Sequence, residues 1–120
     1  MDFKENTPIY IQIAEQIMDG IENGDWPPGE RLPSVRETAG RVMVNPNTVM
    51  RTYDWLQQNG IIYNKRGIGF FVADNGKDLI TERRREDFFS NEMEFFLKRL
   101  RAFGVTPDQL KEQYEKFLKN

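Results

Sequence analysis

Two helix-start signals lie close together in the middle of the chain, and their spacing restricts the fold more than any other feature. Ser34-Val35-Arg36-Glu37 fits a capping box, in which a serine hydroxyl and a glutamate three residues later satisfy exposed backbone amides. Asn45-Pro46 is a second start, because asparagine caps helices and proline suits the first helical position. The sequence therefore predicts a short helix ending near Val42, a tight turn and a further helix.

A longer helix is predicted ahead of this pair. Thr7-Pro8 resembles a capped helix start, and Gly24 provides a stop. Between them, apolar residues recur at helical spacing and predict one buried face: Tyr10, Ile13, Ala14, Ile17 and Ile21.

The third helix and a hairpin after it complete the N-terminal pattern. Val49, Tyr53 and Leu56 predict an inward face for a helix that runs to about Gln58, before Gly60. Residues 61–64 and 70–73 then form two short β-runs around a glycine-rich turn. The order helix, helix, tight turn, helix, hairpin predicts a winged helix-turn-helix over residues 1–75.

Residues 76–120 have a different composition, and they predict helices only. Residues 78–103 are typical of one long helix or two abutting ones, Gly104 interrupts them, and Thr106-Pro107 starts a last helix. The fold class expected is thus mainly α with a small β-hairpin, a winged helix-turn-helix followed by a helical segment.

The composition argues against an enzyme. The chain has no cysteine and no histidine, so thiolate nucleophiles, imidazole bases and the common transition-metal ligands are missing. It also has no glycine-rich phosphate loop and no acid pair in an apolar setting. We expect no catalytic residue, no metal and no cofactor. The polar N-terminus and the lack of an apolar run of about 18 residues predict a cytoplasmic protein that does not enter the membrane.

Charge is unevenly distributed, although the chain as a whole has a net charge of −2. Residues 31–72 carry six basic and two acidic side chains, whereas residues 1–30 carry one basic and seven acidic ones. The basic segment coincides with the predicted helix-turn-helix and hairpin, as expected of a surface that binds nucleic acid.

Within that segment, three places are candidates for contact with double-stranded DNA. Asn47 and Arg51 fall opposite Val49 on the third helix, where they would meet base edges in a major groove. Arg36 opposes the dipole at its helix start, which suggests a phosphate partner. Lys65, Arg66 and Gly67 form a cationic hairpin tip. The alternatives are a plain solvent face, an Arg36 ion pair with Glu37 or Glu30, and an ordinary polar turn.

The C-terminal segment has more large apolar residues than two helices can cover alone. We expect these residues to pack against a second copy of the chain; folding back onto the winged domain is the alternative. The predicted dimerisation residues are Phe88, Phe89, Met93, Phe96, Leu97, Leu100, Phe103, Leu110, Tyr114 and Phe117.

Four blocks in the right order resemble the winged-helix domain of the GntR family. They are Gly29–Glu37, Val44–Val49, Gly60–Ile62 and Arg66–Val72, and the opening Thr7–Ile13 matches as well. The short helical tail resembles the YtrA subfamily, in which such a tail serves dimerisation. Members of that subfamily often repress operons for ABC-type transporters or respond to cell-envelope stress.

The resemblance implies a homodimeric regulator, most simply a repressor, that binds a palindromic operator. It places Arg36 and Thr48 on family positions that contact DNA, and Gly67 on the wing glycine that lets the hairpin tip approach the minor groove. Pro46 and Met50 stand where many relatives have arginine, so we expect Asn45, Asn47 and Arg51 to replace those contacts. The rival hypothesis is a winged-helix module for protein contacts without specific DNA binding. An effector ligand is not indicated by the sequence.

Overall fold

A computed structural model describes residues 6–120, and the polar N-terminus, which argues against a signal peptide, lies partly outside this range. The described chain is helical apart from one antiparallel hairpin, which confirms the predicted fold class. In chain order the elements are α1 Ile9–Asn23, α2 Val35–Val42, α3 Pro46–Gln58, β1 Ile62–Lys65, β2 Gly69–Val72, α4 Gly76–Asp87, a π-helical turn Phe88–Glu92, α5 Met93–Ala102 and α6 Pro107–Leu118.

The predicted starts of α2 and α3 are confirmed. Ser34 Oγ accepts from the Glu37 amide at 3.1 Å, and the Glu37 carboxylate accepts from the Ser34 amide at 3.2 Å. Asn45 Oδ1 accepts from the Asn47 amide at 2.8 Å. Because these contacts span only two or three residues, local sequence specifies both helix boundaries.

The predicted threonine cap on α1 is wrong. Pro8 occupies the N-cap position with an extended ψ of 150° and no side-chain cap hydrogen bond. The Thr7 carbonyl instead accepts from the Gln12 side chain at 2.8 Å. The proline φ of −57° suits a helix, but its ψ does not, so the helix begins one residue later. The stop is as predicted, with Gly24 in the left-handed conformation.

One buried core is shared by α1, α2, α3, the hairpin and the start of α4. Val49, Tyr53 and Leu56 are fully buried, as predicted. Tyr10 is only half-buried and lies outside the core, whereas Met18, which is not part of the predicted stripe, is buried. In α2 the buried residues are Thr38 and Ala39, while Val35 and Val42 are half-buried.

The two compact units are Met1–Glu82 and Arg83–Asn120, so the division falls within α4 and not after residue 75. Ile80 is the reason, because its side chain is fully buried in the core of the first unit. Ile80 thus belongs to the core of the first unit, although it lies beyond residue 75.

The hairpin is displaced by one residue from its predicted strands and is supported on one edge. Ile62 pairs with Val72 and Lys65 with Gly69. On the outer side of β2, the Leu32 amide donates to the Phe70 carbonyl at 2.8 Å, and Arg31 forms a bridge with Phe71. The proline-rich loop before α2 thus contributes a strand-like segment that its composition does not suggest.

The second unit has no buried core of its own. None of the residues of the π-helical turn, α5 or α6 is buried. Ion pairs at i,i+4 spacing, such as Lys98 with Glu94 at 3.5 Å, decorate its surface and contribute little to stability. Within residues 6–120, no helix is long and apolar enough to cross a membrane.

Candidate nucleic-acid interface

A buried hydroxyl network joins α2 to α3. Tyr53 Oη donates to the Pro33 carbonyl at 2.6 Å and lies 2.8 Å from Thr38 Oγ1. Since the tyrosine proton is used on the carbonyl, Thr38 donates to the phenol oxygen. This network ties the start of α2 to the middle of α3, and so it holds the two helices of the helix-turn-helix at their angle.

The Tyr53→Phe variant is expected to lose about 1–3 kcal/mol of unfolding free energy, because a buried hydroxyl and a carbonyl lose their partner.

Burial raises the pKa of Tyr53 above 10.0, and the Thr38 hydrogen bond opposes this only in part. The unfolded chain therefore ionises this phenol first, and stability falls as the pH rises above 10. Urea unfolding at neutral and alkaline pH measures both effects. If the wild type and Tyr53→Phe lost the same unfolding free energy at alkaline pH, the predicted effect of Tyr53 ionisation would be contradicted.

The exposed start of α3 carries the residues predicted to face DNA. Asn47 and Arg51 are exposed, opposite the fully buried Val49, and Thr48 is half-buried. Asn45 has part of its side chain committed to capping, because its Oδ1 accepts from the Asn47 amide. Its amide nitrogen is a donor that this cap does not use. The structure therefore gathers these predicted residues on the first two turns of α3.

Arg51 has a ring partner that sequence reasoning missed. Its guanidinium carbon lies 4.2 Å from the centroid of the Tyr10 ring. Tyr10 belongs to the first turn of α1, far away in sequence, where helical periodicity predicts it on the core face. Its place at the very start of the apolar pattern is the one signal that could have marked it as peripheral.

Arg36 lies exposed in the first turn of α2, as predicted. The alternative of an ion pair with Glu37 gains no support from the described residues. The Glu37 carboxylate is bound to Ser34, whose hydrogen bonds lower the pKa of this group, with smaller contributions from Arg31 and Arg41. The Arg36 side chain is therefore exposed beside the capped start of α2.

The hairpin tip presents three exposed residues, Arg66, Gly67 and Ile68, beyond the last strand pair. Gly67 has a φ of 77°, which a residue with a side chain rarely adopts. Lys65 is exposed and its ammonium lies 4.6 Å from the centroid of the Phe71 ring, so the cation rests along the hairpin.

Arg31 supports the hairpin from the neighbouring segment. It bridges to Phe71, and a side chain on Gly69 would come within 2.8 Å of Arg31 Nε. The predicted DNA-contacting residues thus form two groups, one on α2 and α3 and one on the hairpin, within a single compact unit. The described residues hold no group of three or more acidic, histidine or cysteine side chains arranged for a metal.

These elements define a winged helix-turn-helix protein. The family model described as bacterial regulatory proteins, gntR family, matches residues 9–72. The chain belongs to this family, and its relatives make it YtrA-like. It is accordingly a DNA-binding transcriptional regulator and not an enzyme.

Similar proteins extend the match beyond the winged domain. The HTH-type transcriptional regulator YhcF of Bacillus subtilis is 36% identical over 96% of this chain and 93% of its own. The transcriptional repressor YtrA of Bacillus subtilis is 42% identical over 68% of this chain and 63% of its own.

Solved structures of GntR-family regulators are similar to this chain as well. A GntR-family regulator from Bacteroides thetaiotaomicron is 44% identical, with a TM-score of 0.83 over 93% of this chain and 97% of its own. The DNA-binding domain of AraR in complex with operator ORX1 is 30% identical, with a TM-score of 0.54 over 55% of this chain and 80% of its own.

Proposed function

We propose that this protein is a cytoplasmic repressor that binds a palindromic operator as a homodimer. The single observation that carries the proposal is the combination of an exposed polar start of α3 with a C-terminal unit in which no side chain of the π-helical turn, α5 or α6 is buried. The first feature suits a major groove, and the second requires a covering surface. YtrA, a relative over two thirds of the chain, is named a repressor.

The recognition elements divide into two tasks. Asn47 and Arg51 would read base edges, since asparagine suits adenine and arginine suits guanine. Arg36, Thr48 and Lys65 would contact phosphates and set the register, while Gly67 lets the hairpin approach the minor groove. The remaining donors, Asn45 and Arg66, flank these two groups.

The C-terminal unit supplies the dimer. Phe88, Phe89 and Phe96 are 41%, 50% and 45% exposed, and Phe103 and Phe117 exceed 70%. Exposure of so many large rings on three consecutive helical elements is unusual for an isolated chain. The other members of the proposed interface are Met93, Leu97, Leu100, Leu110 and Tyr114. With two copies joined there, two α3 helices would enter successive major grooves roughly 34 Å apart.

A selection from random DNA duplexes tests the proposal. At about 150 mM salt, which suppresses purely electrostatic binding, a two-fold symmetric motif should be enriched. Enrichment of a motif without symmetry would contradict the palindrome, and the absence of any motif would contradict specific recognition. A reporter gene placed behind the selected duplex then tests repression, because expression should fall when the protein is present.

The division of labour predicts different effects of two charge removals. Arg51→Ala should flatten the preference at one or two base pairs, at about 1–3 kcal/mol of discrimination. Lys65→Ala should weaken binding to all duplexes about equally and reduce the salt dependence. Titration of the selected duplex and its single base-pair variants distinguishes the two. Lys77→Ala, on the exposed side of α4, is the matched control. A uniform loss from both test variants would refute the assignment.

A further inference from the structure

The contact between Tyr10 and Arg51 joins the start of α1 to the outer face of α3. The guanidinium carbon of Arg51 lies over the tyrosine ring, 4.2 Å from its centroid. A cation over an aromatic face is attracted by the negative potential of the ring, and arginine is the cation most often found there. Arg51 is exposed and Tyr10 is half-buried, so this contact sits at the edge of the domain surface.

The backbone of Tyr10 is anchored to α3 by a hydrogen bond. Thr52, the neighbour of Arg51, is fully buried and donates its hydroxyl to the Tyr10 carbonyl at 2.7 Å. The same hydroxyl also lies 3.3 Å from the Thr48 carbonyl, and the shorter hydrogen bond is the one to Tyr10. Tyr10 is thus attached to α3 at the residue next to the arginine that its ring contacts.

We propose that Tyr10 is a positioning residue for base recognition: its ring holds the guanidinium of Arg51 ready to bind a base in the major groove. An arginine held over a ring keeps the N–H donors at its periphery, which are the groups that pair with guanine. A free arginine side chain loses rotamer freedom when it binds, and a stacked one loses less. The inference rests on the proposed role of Arg51 in reading a base.

The test uses the full chain, the selected duplex and the single base-pair variants of that duplex. Tyr10→Phe keeps the ring and should bind like the wild type. Tyr10→Leu should weaken binding to the selected duplex about fivefold, as expected for a cation–π contact. Tyr10→Leu should reduce discrimination only at the base pairs where Arg51→Ala removes it. The double variant that combines Tyr10→Leu with Arg51→Ala should bind no more weakly than Arg51→Ala alone, because the ring acts only through the arginine.

Binding to an unrelated duplex is the control, and Tyr10→Leu should leave it unchanged. A polyfluorinated phenylalanine at position 10 supplies a second test that keeps the size of the ring. Fluorination weakens the negative face of the ring, so discrimination should fall at the same base pairs even if the leucine variant folds poorly.

Three results would overturn the inference. In the first, Tyr10→Leu and the fluorinated ring behave like the wild type. In the second, the losses from Tyr10→Leu and Arg51→Ala add, which assigns Tyr10 a separate effect. In the third, Tyr10→Leu binds the selected duplex more tightly, which means that the ring keeps Arg51 away from DNA. If the wild type enriches no duplex at all, the proposed function itself fails, and this result is distinct from the other three.

Discussion

Replacing Phe96 and Phe103 together by aspartate is expected to convert the protein into a monomer that remains folded. Both side chains are largely exposed in the single chain, so the substitutions remove little packing within it. In the proposed dimer the same positions are covered, and burying an unpaired carboxylate there is strongly unfavourable. Sedimentation velocity measures the change of mass, and circular dichroism checks that the helices persist.

The same double variant is expected to bind the selected operator a hundredfold or more weakly, by the usual order of magnitude for losing one of two linked sites. Ile9→Asp is the matched control for association, because Ile9 is also exposed, at 57%, but lies in the first unit. The control should sediment like the wild type. A double variant that still sediments as a dimer would place the interface elsewhere in the chain.

Ile80→Ala is expected to destabilise the winged domain by about 2–5 kcal/mol, the cost of truncating a large side chain in a closed core. The side chain is fully buried although it lies beyond the hairpin and the change in composition. The two tryptophans, Trp26 and Trp55, both belong to the first unit, so their fluorescence during urea unfolding reports on this domain.

Lys77→Ala on the same helix is the matched control, with an expected change within about 0.5 kcal/mol because the side chain is exposed. Chain length offers a further check. A fragment ending at Glu82 should retain the cooperative unfolding transition, whereas one ending at Asn75 should lose it. If Ile80→Ala unfolds like the control, the first unit does not depend on α4.

Several features of the fold could be predicted because the interactions that set them act over a few residues. The capping box at Ser34 and the Asn45-Pro46 start specify where α2 and α3 begin, whatever the rest of the chain does. The inner face of α3 results equally from helical periodicity, since one side of a helix must face the core. Exposure of Asn47 and Arg51 is the other consequence of the same periodicity.

Other features depend on residues distant in sequence, and no local pattern contains them. Tyr10 has the apolar character of a core residue, yet it stacks on Arg51 because the start of α1 lies against α3 at Arg51 and Thr52. The residues around Ile80 in the sequence have the composition of the C-terminal segment, yet the Ile80 side chain is buried in the core of the winged domain. The segment before α2 pairs with β2 because the hairpin has a free edge there.

Residue types and local spacing were therefore sufficient for the order of the helices and the hairpin, for the family and for the polar face of α3. The contacts that arrange those elements, and with them the partner of Arg51 and the burial of Ile80, arise only when the core closes. The physical reason is range: caps and periodicity act within one or two helical turns, whereas burial depends on which distant surfaces meet.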